Sequence, residues 1–223
     1  MSILDKNLIS YCEANGGNWR EFFMEISLGP DERVGFFRDG EYGCYFVAEG
    51  TVSLEYFEGK IHSTLRICGT GEMVGFGVWI FEDRKPKGEY CIVGLENAKT
   101  LFLTHANYEK FKREFPVVGD FIEAKLCELI FQKEERISAL ESYSVKSRVA
   151  SMLLSLNRKF GVPCSEGRTI DVPVDRSKMS SLAGTSPESL SRALTDLEGA
   201  GAIRRDKRKI VILDEGKLNK FRD

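Results

Sequence analysis

The sequence predicts an α+β fold in which an antiparallel β-barrel or jelly roll is followed by a long helix and a winged helix–turn–helix. Three observations support this prediction. Short alternating apolar runs separated by glycines extend from about Val34 to Thr104, a pattern typical of small antiparallel barrels. Apolar residues then recur at helical spacing from Val117 to about Glu141. Beyond them, two short helical patterns meet at a turn containing Gly184.

The bulk composition is that of an ordinary soluble protein. The 223 residues suffice for two small domains, and 42% hydrophobic with 30% charged residues is typical of globular chains. No apolar run approaches the ~20 residues that a membrane-spanning helix needs. The N-terminus, MSILDKNLISYCEANGG, carries acidic residues where a secretory leader has a basic region. We therefore expect a cytoplasmic protein without a membrane partner.

Charge is distributed unevenly along the chain. Residues 143–223 contain 16 Lys and Arg against 10 Asp and Glu, a net charge of +6, whereas residues 1–142 contain 16 against 24, a net charge of −8. This asymmetry is typical of a protein of which only one part meets a polyanion.

The cysteines do not form a recognisable metal or cluster motif. The six are Cys12, Cys44, Cys68, Cys91, Cys127 and Cys164. Neighbouring cysteines are separated by more than 20 residues, so no C-x-x-C pair exists. We expect reduced thiols, mostly in apolar surroundings, with a redox or metal role for some of them as the alternative.

Two local patterns predict a hairpin within the roll and a short helix after it. The strand-like runs Thr51–Phe57 and Ile61–Ile67 flank the turn Glu58–Lys60 and predict a hairpin. Asn107–Pro116 predicts a short helix that ends at the proline.

The following helix is longer than a small domain needs for its own core. About 25 helical residues span ~37 Å. Such a helix is usually a buried spine or a two-stranded dimer seam, and we favour the seam. Its predicted contact residues are Ile122, Leu126, Leu129, Ile137 and Leu140.

The C-terminal third contains the start and stop signals of a helix–turn–helix. Asp175 predicts the N-cap of a helix over Arg176–Ala183, and Gly184 supplies the left-handed conformation of a tight turn. Ser186 and Pro187 then begin a second helix. The buried stripe of that helix is predicted to comprise Leu190, Ala193, Leu194 and Leu197. The segment AIRRDKRKIVIL predicts two short strands with a charged tip, which form a wing.

The open face of the second helix carries side chains that can read DNA. Arg192 can bond bidentately to guanine, Glu188 can accept from a cytosine amino group, and Ser191 can contact either type of edge. In a helix–turn–helix these residues lie at the major groove. Residues predicted to contact the DNA backbone are Thr185, Ser186, Arg204, Arg205, Lys207, Arg208 and Lys209.

Over nearly its whole length the sequence resembles the CRP/FNR superfamily of bacterial transcription regulators. The resemblance rests on YFVAEGTVSLEYFEGK and GTGEMVGFGVWIF in the roll and on VPVDRSKMSSLAGTSPESLSRALTDLEGAGAI near the C-terminus. It implies a cyclic-nucleotide-binding-like β-roll (a double-stranded β-helix) over residues 1–116, a dimerisation helix over 117–142 and a winged-helix DNA-binding domain over 143–223. It also implies a homodimer that meets double-stranded DNA and RNA polymerase.

Within this family the recognition helix often carries Glu-x-x-Ser-Arg, here Glu188, Ser191 and Arg192. This pattern resembles the FNR-like subgroup, which reads TTGA-type half-sites. The subgroup that uses cyclic AMP typically has Arg and Gly at the positions of Pro187 and Ser191, so the resemblance favours the FNR-like half-site.

The resemblance implies an effector site in the roll, but the family's cyclic-nucleotide motif is missing. GEMVGFGVWIF has Phe76 or Gly77 where the ribose-binding carboxylate is expected, and KGEYCIV has Glu89 and Tyr90 near the expected Arg-Ser. These four residues and Trp79 are the predicted effector pocket. Cyclic AMP is therefore disfavoured, because a phosphate facing a carboxylate is poorly bound.

Other effectors and functions leave alternatives open. An iron–sulfur cluster is disfavoured because only Cys12 lies in the first forty residues. Haem or a small organic ligand stays open, with His62 and His105 as the two histidines. An enzyme is disfavoured because metal chemistry normally needs clustered His and carboxylate ligands. A constitutive DNA binder and a sensory dimer without DNA binding are the remaining alternatives.

Overall fold

The computed structural model of the chain describes residues 8–15, 17–78, 81, 83–206 and 209–222. It divides into two compact units. One comprises residues 1–62 and 66–132, and the other comprises residues 63–65 and 133–223. The division falls inside the long helix, so this helix contributes to both units.

The N-terminal unit is a β-roll preceded and followed by short helices. It begins with α1 (Leu8–Asn15) and a 3-10 turn (Trp19–Phe22). Its strands are β1 (Met24–Leu28), β2 (Arg33–Gly35), β3 (Phe37–Arg38), β4 (Glu41–Glu49), β5 (Val52–Glu58), β6 (Ile61–Cys68), β7 (Met73–Val74), β8 (Glu89–Gly94) and β9 (Ala98–Thr104), and α2 (His105–Glu114) follows.

The strands form two sheets. One has the order β1-β9-β4-β3, with β7 paired to β4, and the other has the order β2-β8-β5-β6. The predicted hairpin is confirmed, because β5 and β6 are neighbours and Gly59 at their turn has φ +57°. The predicted α+β class with an N-terminal roll is likewise confirmed.

Two buried apolar clusters hold this unit together. One lies within the roll and includes Tyr45, Phe36 and Phe102. The other packs the helices against the roll and includes Phe46 and Phe111. Tyr45 and Phe46 are neighbours in β4 but belong to different clusters, so this strand is buried on both of its faces.

The long helix α3 (Val117–Ser142) has 26 residues and changes character along its length. Its first turns are buried, and Ile122 is only 1% exposed within the core of its own chain. Ile122 therefore cannot belong to a dimer seam, which corrects its place among the predicted contact residues. Further along, Ile130 is 57% exposed, Phe131 67% and Ile137 56%. The first two of these three were not among the predicted seam residues.

The C-terminal unit contains the remaining helices and one four-stranded sheet. Its elements are α4 (Val145–Phe160), β10 (Gly161–Cys164), β11 (Gly167–Ile170), α5 (Arg176–Ala183), α6 (Pro187–Gly199), β12 (Ile203–Asp206), β13 (Lys209–Ile212) and α7 (Glu215–Asn219). The sheet has the order β10-β11-β13-β12. The predicted wing corresponds to β12 and β13, whereas the hairpin β10–β11 beside it was not predicted.

Gly161 ends α4 for a reason other than a left-handed turn. Its backbone is extended, with φ −74° and ψ 124°. A Cβ there would lie 2.2 Å from the side-chain oxygen of Asn157, so close approach to the last turn of the helix requires glycine.

The cysteines are all free among the described residues. Cys12, Cys44, Cys68 and Cys91 are buried, whereas Cys127 and Cys164 are exposed. Burial raises the pKa of the Cys12 thiol to about 11, so this thiol stays protonated near neutral pH. Across the described parts of the chain, no helix combines the length and apolarity needed to cross a membrane.

Candidate DNA-binding site and ligand cleft

The first helix of the motif, α5, is closed at both ends by the residues that the sequence indicated. The Asp175 side chain accepts a hydrogen bond of 2.8 Å from the backbone N–H of Lys178. Gly184 follows the helix in the left-handed conformation, with φ 60° and ψ 48°. These two caps fix where the turn begins.

The second helix, α6, starts immediately after the turn. The Ser186 hydroxyl accepts from the backbone N–H of Ser189 at 3.2 Å, and Pro187 occupies the first helical position. All four residues of the predicted stripe are buried: Leu190, Ala193, Leu194 and Leu197. The opposite face must therefore point to solvent.

That solvent face carries the three predicted base-reading residues. Glu188 and Arg192 are exposed and Ser191 is partly exposed. Thr195, also exposed, lies seven positions after Glu188 and continues the same face by one turn. Sequence reasoning missed Thr195, although its spacing identifies it. Its hydroxyl donates to the Ser191 carbonyl at 3.0 Å.

Glu188 is poised as a hydrogen-bond acceptor. Hydrogen bonds from its own backbone N–H and from the Ser186 side chain lower the pKa of the Glu188 carboxyl, and the Arg192 guanidinium lowers it further. The group is therefore ionised at neutral pH. Glu188 and Arg192 therefore present hydrogen-bond acceptors and hydrogen-bond donors side by side on one face of the helix.

The wing residues predicted to contact phosphates face carboxylates of their own chain. Arg204 Nε lies 2.7 Å from Glu166 Oε2, and Lys209 Nζ lies 2.7 Å from Asp171 Oδ1. Both pairs link the wing to the neighbouring β10–β11 region. Lys207 and Arg208 lie outside the described residues.

Arg205 is held by the recognition helix itself. Its backbone N–H donates to Glu198 Oε1 at 2.8 Å, and its Nε donates to Glu198 Oε2 at 2.7 Å. The side-chain and backbone hydrogen bonds from Arg205 lower the pKa of the Glu198 carboxyl. This arrangement gives Arg205 a structural partner that the sequence did not indicate.

A second candidate site is an open cleft of about 670 Å³ in the N-terminal unit. Six of its fourteen lining residues are aromatic and four are charged: Phe36, Phe37, Tyr42, Phe57, Phe81 and Tyr90, and Glu58, Lys85, Lys87 and Glu89. Four of these rings contact one another in a chain: Phe37 packs on Tyr42, Tyr42 on Phe81, and Phe81 stacks on Tyr90 at 5.6 Å. A volume of this size suits a small organic molecule.

Only part of the predicted effector pocket lies in this cleft. Glu89 and Tyr90 line it, whereas Phe76 packs edge-on against Tyr108, with ring centroids 5.1 Å apart, in the core cluster between roll and helices. Gly75 and Gly77 have φ +76° and +87°, and these left-handed positions turn the chain. Gly77 is not among the lining residues of the cleft.

Trp79, the fifth residue of the predicted pocket, lies outside the described residues. Among the residues that the structure does describe, no group of three or more His, Cys, Asp and Glu could hold a metal ion. His62 Nε2 lies 2.6 Å from Glu55 Oε2, and its ring stacks on Phe57 at 4.4 Å.

The chain is similar to several proteins of known function. Residues 147–221 match the family of Crp-like helix-turn-helix domains. The chain is 27% identical over 169 residues to the global nitrogen regulator of Nostoc sp., covering 75% of each chain. It is 29% identical over 185 residues to the cyclic AMP receptor protein of Thermus thermophilus, covering 82% of this chain and 81% of the relative.

Solved structures share the fold at low sequence identity. A CooA variant from Carboxydothermus hydrogenoformans superposes with a TM-score of 0.78 at 18% identity, covering 98% of this chain and 97% of its own. FixK2 from Bradyrhizobium japonicum gives a TM-score of 0.72 at 19% identity, covering 90% and 98%. With its capped helix–turn–helix and wing, the C-terminal unit contains a Crp-like helix-turn-helix domain, and the chain as a whole is similar to these regulators.

Proposed function

We propose that the protein is a homodimeric, sequence-specific DNA-binding transcription regulator that reads a palindromic, TTGA-like site. The observation that carries this proposal is the exposed face of α6, where Glu188, Ser191 and Arg192 stand together above a fully buried stripe. A helix of this kind inserts its N-terminal end into the major groove. RNA polymerase is the partner that such a regulator implies, and we assign the protein no enzymatic activity.

The three side chains divide the reading of a half-site among them. Arg192 donates to O6 and N7 of a guanine, while the ionised Glu188 accepts from the amino group of a cytosine. Ser191 contacts a neighbouring base edge. The Ser186 cap and Thr185 lie at the start of the helix, where backbone N–H groups favour a phosphate.

Phosphate contacts from the wing involve an exchange of partners. Arg204 and Lys209 leave Glu166 and Asp171 when they meet the DNA backbone, because one cation cannot satisfy both anions equally. We retain Lys207 and Arg208 as phosphate contacts at the wing tip. Arg205 stays with Glu198 and holds the wing in place.

Dimerisation is proposed through the middle and C-terminal part of α3. The exposed Ile130, Ile137 and Leu140 lie on one side of the helix, with Leu126 and Leu129 partly exposed beside them. Phe131 is also exposed, but it lies about 100° around the helix from Ile130. An apolar stripe of this length on a solvent-facing helix is typical of a two-stranded seam. We accordingly propose the division into a sensor domain (1–116), a dimerisation helix (117–142) and a DNA-binding domain (143–223).

The aromatic cleft is the proposed effector site. Its rings suit a small aromatic compound, and Lys85 or Lys87 can meet an acidic group on that compound. A cyclic nucleotide fits less well, because Glu89 lines the cleft and its carboxylate would repel the phosphate of the nucleotide. Effector binding shifts α3 and with it the two recognition helices, as a population shift between two dimer arrangements. Haem and constitutive DNA binding remain the alternatives.

Two measurements on the wild-type protein test this function. Fluorescence anisotropy compares a palindromic TTGA-containing duplex with a scrambled duplex of equal length, and we expect a clear preference for the palindrome. Native mass spectrometry of protein purified without oxygen reports both the oligomer and any co-purified ligand. A monomer, or equal affinity for both duplexes, would contradict the proposal.

A further inference from the structure

Carbonyl groups at the end of α5 are held by arginines from two other helices. A helix leaves its last carbonyls without partners inside the helix. Arg136, on α3, donates to the Ser181 carbonyl at 3.0 Å. Arg148, on α4, donates through Nε to the Ala183 carbonyl at 3.0 Å and through a terminal nitrogen to the Gly184 carbonyl at 3.1 Å. Positive charge at this end also complements the helix dipole.

Arg148 additionally reaches the junction between α3 and α4. Its other terminal nitrogen donates to the Tyr143 carbonyl at 2.7 Å. One rigid, planar guanidinium therefore joins the end of the long helix to the turn that starts the recognition helix. Because the Arg148 guanidinium is planar and rigid, its hydrogen bonds fix the relative orientation of these two segments as well as the distance between them.

Leu140 packs against the same turn from α3. A Cβ added to Gly184 would lie 2.3 Å from Leu140 Cδ2, so the two residues are in close contact. Gly184 is thus required both for its left-handed backbone and for the space that Leu140 occupies. Arg136 and Leu140 are one helical turn apart and present a polar and an apolar contact to one short turn.

Arg136 is partly buried, and its hydrogen-bond partners are the carbonyls of Ser181 at 3.0 Å and of Leu65 in β6 at 3.2 Å, neither of which carries a charge. Burial lowers the pKa of its guanidinium, which nevertheless stays protonated at any working pH. Placing a charged group there is unfavourable unless its donors are satisfied. The site therefore favours one geometry between α3 and the end of α5.

We propose that Arg136 is a positioning residue that fixes the direction of the recognition helix relative to the C-terminal half of the long helix, and so sets the half-site spacing that the dimer accepts. The inference rests on the proposed function, because spacing has meaning only for a dimer on a palindrome. Arg136 touches no base or phosphate in this assignment. Its effect is on the angle at which α6 is presented.

The test measures spacing selectivity separately from base reading. Anisotropy titrations compare the preferred palindrome, the same palindrome with one base pair inserted or removed at its centre, and a duplex with a single half-site. One inserted pair moves the half-sites by about 3.4 Å and rotates them by about a tenth of a turn. We expect the wild-type protein to discriminate between these spacings by about tenfold or more.

Arg136→Ala should reduce that discrimination to about threefold or less while affinity for the single half-site changes by about twofold at most. Arg136→Lys keeps the positive charge but lacks the planar guanidinium, so it should lose spacing discrimination as the alanine variant does. Because it is the more conservative change, it keeps the test valid if the alanine variant misfolds. Arg113→Ala is the matched control, since Arg113 is an exposed arginine on α2 whose Nε donates to the Glu109 carbonyl at 3.0 Å.

Three outcomes separate the explanations. Unchanged spacing discrimination in both Arg136 variants would overturn the proposal. A parallel loss of affinity for every duplex, the single half-site included, would also overturn it, because that result indicates a general structural role. If the wild-type protein itself showed no preference for the palindrome, the proposed function would fail before the question of Arg136 arises.

Discussion

Arg205 and Glu198 fasten the wing to the recognition helix through two hydrogen bonds to a single carboxylate. The backbone N–H of Arg205 lies 2.8 Å from one oxygen and its Nε lies 2.7 Å from the other. Because Glu198 is in the last turn of α6, this pair sets where the first wing strand begins. Arg205, which the sequence predicts to contact phosphate, thus holds the wing against the recognition helix of its own chain.

Glu198→Gln should lower the free energy of unfolding by about 1 kcal/mol at neutral pH, since it removes the charge from a pair of short hydrogen bonds. The folded-state pKa of Glu198 is lowered, so its stabilisation is present above the unfolded-state pKa and is lost as the pH falls through the folded-state value. Urea unfolding followed by circular dichroism should therefore show the difference between the two proteins shrinking below about pH 4.

Asp206→Asn is the control for that comparison. Its carboxylate lies 3.8 Å from Arg204 on an exposed surface, so the same change of charge should have little effect. Equal effects of the two substitutions, or a difference that persists in acid, would contradict the role given to Glu198.

Glu166→Gln should increase affinity for DNA of any sequence. It releases Arg204 from the 2.7 Å pair and removes a negative charge near the wing. We expect similar gains on palindromic and scrambled duplexes and a steeper dependence of affinity on salt, by up to about one unit in the log–log slope. Anisotropy titrations over a salt series measure both quantities.

The matched control for Glu166→Gln is Glu49→Gln. Glu49 forms an exposed pair of 2.8 Å with Lys99 in the roll, and its substitution changes net charge equally. If both variants gained the same affinity, the effect would come from total charge, and the pairing of Arg204 would be irrelevant to DNA binding.

Cys127→Ser should abolish disulfide cross-linking between protomers. Cys127 is exposed on α3, three and four positions before the exposed Ile130 and Phe131. In a parallel two-helix seam, equivalent residues at the contact face of the two chains approach each other to about the 4.4–6.8 Å Cα separation that a disulfide needs. Oxidation by copper–phenanthroline in air, followed by non-reducing electrophoresis, measures the covalent dimer.

Cys164→Ser provides the comparison, because Cys164 is the other exposed cysteine among the described residues. That variant should cross-link as the wild-type protein does. Cross-linking that depends on Cys164 instead, or that is absent in all three proteins, would argue against the proposed seam.

The helix–turn–helix was predictable to the residue because its boundaries are encoded locally. Asp175 and Ser186 cap the two helices with their own side chains, and Gly184 has the left-handed backbone that its lack of a Cβ permits. Such signals act over three or four residues. They can therefore be read without knowledge of the rest of the fold.

Long-range contacts were not predictable in the same way. The pair of Arg204 and Glu166 joins residues 38 positions apart, and the strand pairing that brings them together cannot be inferred from either segment alone. Ile122 follows the same helical period as the proposed seam but is buried by its own chain. Periodicity identifies an apolar face without saying what covers it.

We infer that α6 reads base sequence through Arg192. The most direct test is the affinity of the wild-type protein and of Arg192→Ala for a palindromic TTGA-containing duplex and for its scrambled counterpart, with Arg158→Ala, another exposed arginine, as control. We expect Arg192→Ala to lose about 1–3 kcal/mol of preference for the palindrome and the control to retain it. An unchanged preference in Arg192→Ala would contradict the assignment of Arg192 to base reading.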